Sequence, residues 1–84
     1  SQQAYNVTNS RVNLRATPGY QGKATGDVLD QLYPGDRVEI LGPSTSSDGL
    51  LWWWVRYQND AGRVNYGWVA QATASGVTIL AVTE

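Results

Sequence analysis

Leu50-Leu51-Trp52-Trp53-Trp54-Val55-Arg56-Tyr57 puts three of the four tryptophans of this 84-residue chain side by side. Asp48-Gly49 precedes the run and Asn59-Asp60-Ala61-Gly62 follows it, so turn formers close both ends and the run reads as one strand. Successive side chains of a strand point to opposite faces. Trp53, Val55 and Tyr57 therefore share one face, and Trp52, Trp54 and Arg56 the other. The single core of a small domain cannot enclose both faces, so at least one indole should meet solvent or a partner. A tryptophan carries roughly 150–250 Å² of buriable surface, and leaving half of it wet forgoes about 2–3 kcal/mol at ~25 cal/mol per Å².

Outward from this strand the chain is a series of short extended segments. Downstream, a hairpin turn at 59–62 leads into Arg63-Val64-Asn65-Tyr66-Gly67-Trp68-Val69-Ala70. A soft connector, 71–76, then precedes a last strand, Val77 to Val82. Upstream, Arg37-Val38-Glu39-Ile40-Leu41 alternates with Val38 and Ile40 inward, and Val12-Asn13-Leu14-Arg15 alternates with Val12 and Leu14 inward. Pro18-Gly19 and Tyr33-Pro34-Gly35-Asp36 carry the proline–glycine order of type II turns. Segments 20–26 and 42–49 read as loops, with a small apolar patch (Val28, Leu29, Leu32) between them. Residues 1–9 are polar enough to expect a frayed lead-in.

No segment keeps a helical period over three turns, and there is no internal repeat. Short strands punctuated by Gly and Pro in 84 residues indicate an all-β domain, a small antiparallel barrel or sandwich. Gly67, inside a strand, marks a bulge or a close backbone approach.

Composition narrows the function. Six basic against seven acidic residues give a net charge of −1, with no electrostatic footing for nucleic acid or an anionic membrane. No apolar segment approaches the roughly 18 residues needed to span a bilayer, so a soluble domain is expected without membrane insertion. The chain opens on Ser rather than Met, as expected of a piece excised from a larger protein. It has no cysteine and no histidine, which removes disulfides, thiolate chemistry, the commonest metal ligand and the usual general base. The carboxylates left over, from Asp27 to Glu84, stand mostly beside glycine in turns. The expectation is a non-enzymatic domain that needs neither metal nor cofactor.

Three stretches now align in order: Val12-Asn13-Leu14-Arg15-Ala16-Thr17-Pro18-Gly19, Gly35-Asp36-Arg37-Val38-Glu39-Ile40-Leu41, and Trp52 to Arg56 followed by Gly67-Trp68-Val69. Together they resemble the bacterial SH3 domain (SH3b, the SH3 type 3 family) over about residues 10–70. The resemblance implies an SH3-like barrel of five to seven short strands over about 10–82, within a single domain 1–84. It also implies an accessory binding module of a bacterial envelope or secreted protein, without catalytic activity and acting as a monomer. The expected partner is cell-wall peptide or glycan. A neighbouring domain packed on the tryptophan face, or another protein, is the alternative.

In the family's pattern the valine after the tryptophan cluster, here Val55, faces the core, and Trp53 and Tyr57 go with it by parity. Trp52 corresponds to the groove tryptophan of SH3-like folds. Trp54 and Trp68 are candidates for the same surface, and Tyr20, Tyr33 and Tyr66 are further candidates at its edges. Such aromatic grooves suit extended peptides or the apolar faces of sugars. Asn13 and Arg15, outward on the first strand, should be tied to local partners rather than to ligand.

Overall fold

The computed structural model describes residues 2–83. Seven strands form one antiparallel sheet: β1 Gln2–Asn6, β2 Val12–Arg15, β3 Val28–Leu32, β4 Arg37–Ser47, β5 Leu50–Gln58, β6 Val64–Ala70 and β7 Leu80–Val82. A single 3₁₀ turn, Thr25–Asp27, leads into β3, and the described residues contain no α-helix. The strand order is β3-β2-β6-β5-β4-β1-β7. Leu32 of β3 and Leu80 of β7 lie at opposite ends of that order, yet both belong to one buried cluster with Leu14, Val38, Val55 and Val69. The sheet is therefore curled around its core. The expectation of an all-β fold with five to seven strands is met.

The tryptophan strand is the central rib. Its register with β6 runs unbroken from Trp52↔Ala70 to Gln58↔Val64. Against β4 it pairs Glu39↔Arg56 and Ile40↔Val55, then resumes at Ser44↔Trp53. The three β4 residues between those pairs face a single β5 residue, and they include Pro43, which has no N–H for the ladder to lose. The Gly42–Pro43 peptide is cis.

Three segments differ from the sequence reading. The expected loop 42–49 is mostly strand: β4 runs on to Ser47, and only Asp48 and Gly49 turn. Both have positive φ, 53° and 74°, as a two-residue type I′ hairpin requires. The polar residues of 44–47 extend because the tryptophan strand beside them offers a full ladder. Within the expected lead-in 1–9, residues 2–6 form a strand paired to β4 and β7. Ser1 and Glu84 lie outside the described residues. The last strand is shorter than 77–82, since only Leu80–Val82 pairs with β1 and 72–78 folds on itself through the Ala72↔Thr78 bridge.

Asn6 accounts for the order at the amino-terminal end. It is buried, yet all its polar atoms are used. Nδ2 donates to the Ser10 carbonyl (2.8 Å) and the Leu32 carbonyl (3.0 Å), and Oδ1 accepts from the Thr8 amide (2.9 Å) and hydroxyl (2.7 Å). One polar side chain thus ties β1 to the start of β2 and the end of β3.

Gly67 meets the expectation of close approach. A Cβ there would lie 2.5 Å from the Arg15 carbonyl oxygen and 3.1 Å from Leu14 Cγ. Gly67→Ala should push β2 off β6 and cost roughly 2–3 kcal/mol in urea unfolding. Gly26→Ala, with nothing within 4 Å of its Cβ, is the control and should stay within about 0.5 kcal/mol. Equal effects at the two positions would refute the close approach.

Candidate functional site

Three pairs place the outward side chains in successive rungs: Trp52↔Ala70, Trp54↔Trp68 and Arg56↔Tyr66. Side chains opposite one another across a ladder share a face, so all six stand on one side of the β5–β6 ribbon. Arg15 pairs with Trp68 and extends the middle rung onto β2. Val55, Tyr57 and Val69 point the other way and are buried, as the alternation requires.

The first rung differs from the others. Trp52 is 3 % exposed and Ala70 is buried, although both stand on the outward face. Parity fixes the face of a side chain but not what later covers that face. Here the chain beyond β6 folds back over it. The Gln71 amide donates to the Leu51 carbonyl (2.8 Å) and the Ile79 amide to the Gln71 carbonyl (2.9 Å). Ile79 is buried with Trp52 in the core cluster. Trp52 is thus not an exposed groove centre. Its ring lies in the floor, and its Nε1–H is already given to the Ser47 carbonyl at 3.0 Å.

Above that floor lies an open groove of about 420 Å³. Leu50, Trp52 and Ala70 line its base, Thr73, Val77 and Ile79 one side, and Ser10 to Asn13 with Arg15 the other. Tyr20, 38 % exposed, contributes near the Leu50 end. Among the described residues the lining holds no Asp, Glu or Lys, and its two charged side chains are Arg11 and Arg15.

Trp54, Trp68 and Tyr66 form a separate cluster outside the groove, on the next rungs. The Trp54 ring lies 5.3 Å from that of Trp68 at an interplanar angle of 54°, and 6.4 Å from that of Tyr66 at 26°. Trp54 and Trp68 are half-buried, and Tyr66 is 50 % exposed. Tyr33 joins neither group. It is 55 % exposed, and the Arg11 guanidinium sits 5.7 Å from its ring centroid. The structure therefore brings Trp52 and Tyr20 to one groove and Trp54, Trp68 and Tyr66 to one cluster, and leaves Tyr33 at the far side of Arg11. Asn13 and Arg15 have local partners as expected: Asn13 Oδ1 accepts from Gln31 Nε2 at 2.9 Å, and Arg15 Nη1 stands 3.5 Å from Asp27 Oδ2. Trp53 packs half-buried against the core and donates to Gln71 Oε1 at 2.7 Å.

Two carboxylates set the loop that carries Tyr20. Asp48, at the β4–β5 turn, accepts from the Tyr20 amide (2.8 Å) and the Gln21 amide (2.9 Å). Asp27, at the other end of the loop, accepts from the Thr17 hydroxyl (2.7 Å) and amide (3.1 Å), and Lys23 Nζ lies 3.3 Å away. The Gln21 and Tyr20 amides hold the Asp48 carboxyl below its usual range, and the Thr17 hydroxyl, with Lys23, does the same for Asp27. A lowered carboxyl stabilises the fold above its ordinary pKa and loses that contribution as pH falls through the lowered value. As pH falls below 3.8 and through that lowered value, the Tyr20 and Gln21 amides should therefore lose protection relative to their intrinsic exchange rates while the core amides keep theirs. Asp48→Asn should produce the same loosening at pH 7. Unchanged exchange in both experiments would exclude the clamp. The sequence reading placed these carboxylates in turns beside glycine but not their hold on the loop that carries Tyr20. The signal for Asp48 was the Asp-Gly pair between two extended runs, the strongest short hairpin mark.

No family model matches the chain, and no solved structure matches it. It is 32 % identical, over an alignment 91 positions long that covers 95 % of this chain, to a cysteine–tRNA ligase of Variovorax paradoxus (strain S110). The chain spans about one fifth of that ligase, so the similarity concerns a segment of it.

Proposed function

We propose that this domain is a non-catalytic binding module of the bacterial SH3 type, an SH3-like barrel from an envelope or secreted protein. Its groove over Trp52 would receive cell-wall peptide or glycan. The observation that carries the reading is the open groove itself: an apolar floor, one mainly apolar wall, one largely polar wall and, among the described residues, no carboxylate, imidazole or thiol in its lining. Such a lining can hold a flat or extended ligand but cannot cleave one. The likeness to part of a tRNA ligase does not redirect this reading, because a net charge of −1 gives little purchase on a polyphosphate.

Retention on insoluble peptidoglycan tests the proposal. Wild type should sediment with it. Tyr20→Ala and Val77→Ser, both at exposed lining positions, should reduce retention without lowering the melting temperature. Wild type left wholly in the supernatant would reject cell-wall binding.

A second reading is favoured by the Trp54–Tyr66–Trp68 cluster, a set of aromatic rings that lies outside the groove. In that reading a neighbouring domain of the same chain packs on this face. Trp54→Ser and Tyr66→Ser would then weaken interdomain contact while leaving retention on peptidoglycan intact.

A further inference from the structure

Resting on the peptide form of that reading, we propose that the groove recognises the free terminal carboxylate of a short extended peptide, and that Arg11 is the residue that takes it. The groove's charge is one-sided, with two arginines and no acid. Arg15 is already met by Asp27 at 3.5 Å. Arg11 has no carboxylate partner among the described residues; its contact is the face of the Tyr33 ring, 5.7 Å from the guanidinium carbon. A contact with a ring face supplies no carboxylate to the guanidinium, so its fork of N–H groups suits a bidentate acceptor brought by a ligand.

The position of Arg11 gives the orientation. It precedes β2, and Arg15 ends it, so the two are about 13 Å apart along extended chain at ~3.3 Å per residue. Arg11 thus marks one end of the groove, while Arg15 and Tyr20 mark the other. The floor between them cannot orient a ligand through hydrogen bonds, because the Trp52 N–H is spent on the Ser47 carbonyl. Arg11 is then the strongest anchor for register, and a charged terminus is what suits it. A volume of about 420 Å³ stands near the lower end of ligand pockets (roughly 300–1,000 Å³), so few residues fit and a chain end falls inside. A terminal carboxylate is carried on the backbone itself, so placing it orders fewer rotors than placing an acidic side chain would.

The test uses three acetylated tetrapeptides: tetra-alanine with a free carboxylate, its carboxamide twin, and Ala-Glu-Ala-Ala carboxamide. Binding is read from the Arg11 Nε–H and Trp52 Nε1–H resonances of the whole domain. The free acid should bind at least tenfold more tightly than its carboxamide, and high salt should narrow the gap. Arg11→Gln, with unchanged melting temperature, should level the two. Equal affinity of acid and carboxamide would overturn the carboxylate assignment while leaving peptide binding intact. A glutamyl carboxamide binding as tightly as the free acid would overturn its terminal origin. No binding by any of the three would overturn both this assignment and the peptide reading beneath it.

Discussion

Trp52→Ala should cost roughly 3–5 kcal/mol, whereas Trp54→Ala, two residues on and on the same face, should cost only about 1–2. Deleting a buried indole removes its transfer free energy and leaves a cavity whose walls relax only in part. Trp52 is 3 % exposed and packs with Ile79 and Ala70, so nearly the whole indole surface is lost from the core. The change also strips the Ser47 carbonyl of its Nε1–H donor. Trp54 is only partly buried, and its truncation forfeits mainly ring contacts with Trp68 and Tyr66. A domain of 84 residues holds roughly 4–13 kcal/mol in total, at ~0.05–0.15 per residue, so the first change leaves a sizeable unfolded fraction in dilute urea. The measurement is the urea midpoint of each variant at constant slope. Similar midpoints would show that the connector beyond β6 does not cover Trp52. The same ranking makes Trp52→Ala a poor probe of binding, because lost retention would follow from lost fold.

Asn6→Asp should destabilise by about 3–4 kcal/mol at pH 7. The isosteric change keeps the two bonds accepted from Thr8 but replaces an NH₂ donor by a carboxylate oxygen. That oxygen would face the Ser10 and Leu32 carbonyls, formerly at 2.8 and 3.0 Å. Burial favours the neutral acid, so the new carboxyl should have a raised pKa, and stability should partly recover as pH falls. Once protonated, the introduced carboxyl can restore one of the two lost donations, not both. Chemical unfolding of wild type and variant at pH 7 and pH 4.5 tests the direction. A variant as stable as wild type at pH 7, or one that gains nothing on acidification, would show that Asn6 is not the tie between β1, β2 and β3.

Much of this arrangement was legible in the chain. The alternation in 52–57 put Val55 and Tyr57 on one face, the family pattern turned that face inward, and the turn formers at both ends delimited the strand. Gly67 announced a close backbone approach, and Arg15 a local partner. The order of 42–47 was not legible, because small polar residues carry no strand pattern of their own; the ladder beside them holds them extended. Asn6 was hidden for a similar reason. An asparagine in a polar lead-in looks solvated until the carbonyls it serves, 4 and 26 residues away, are brought to it.

By itself, the sequence determined an all-β chain built around one two-faced tryptophan strand, since strand parity and turn chemistry act over a few residues. Which indoles stay in contact with solvent was decided only in the tertiary structure. The segment that roofs Trp52 comes from the other side of β6, and coverage of a sheet face depends on contacts between residues far apart in the chain.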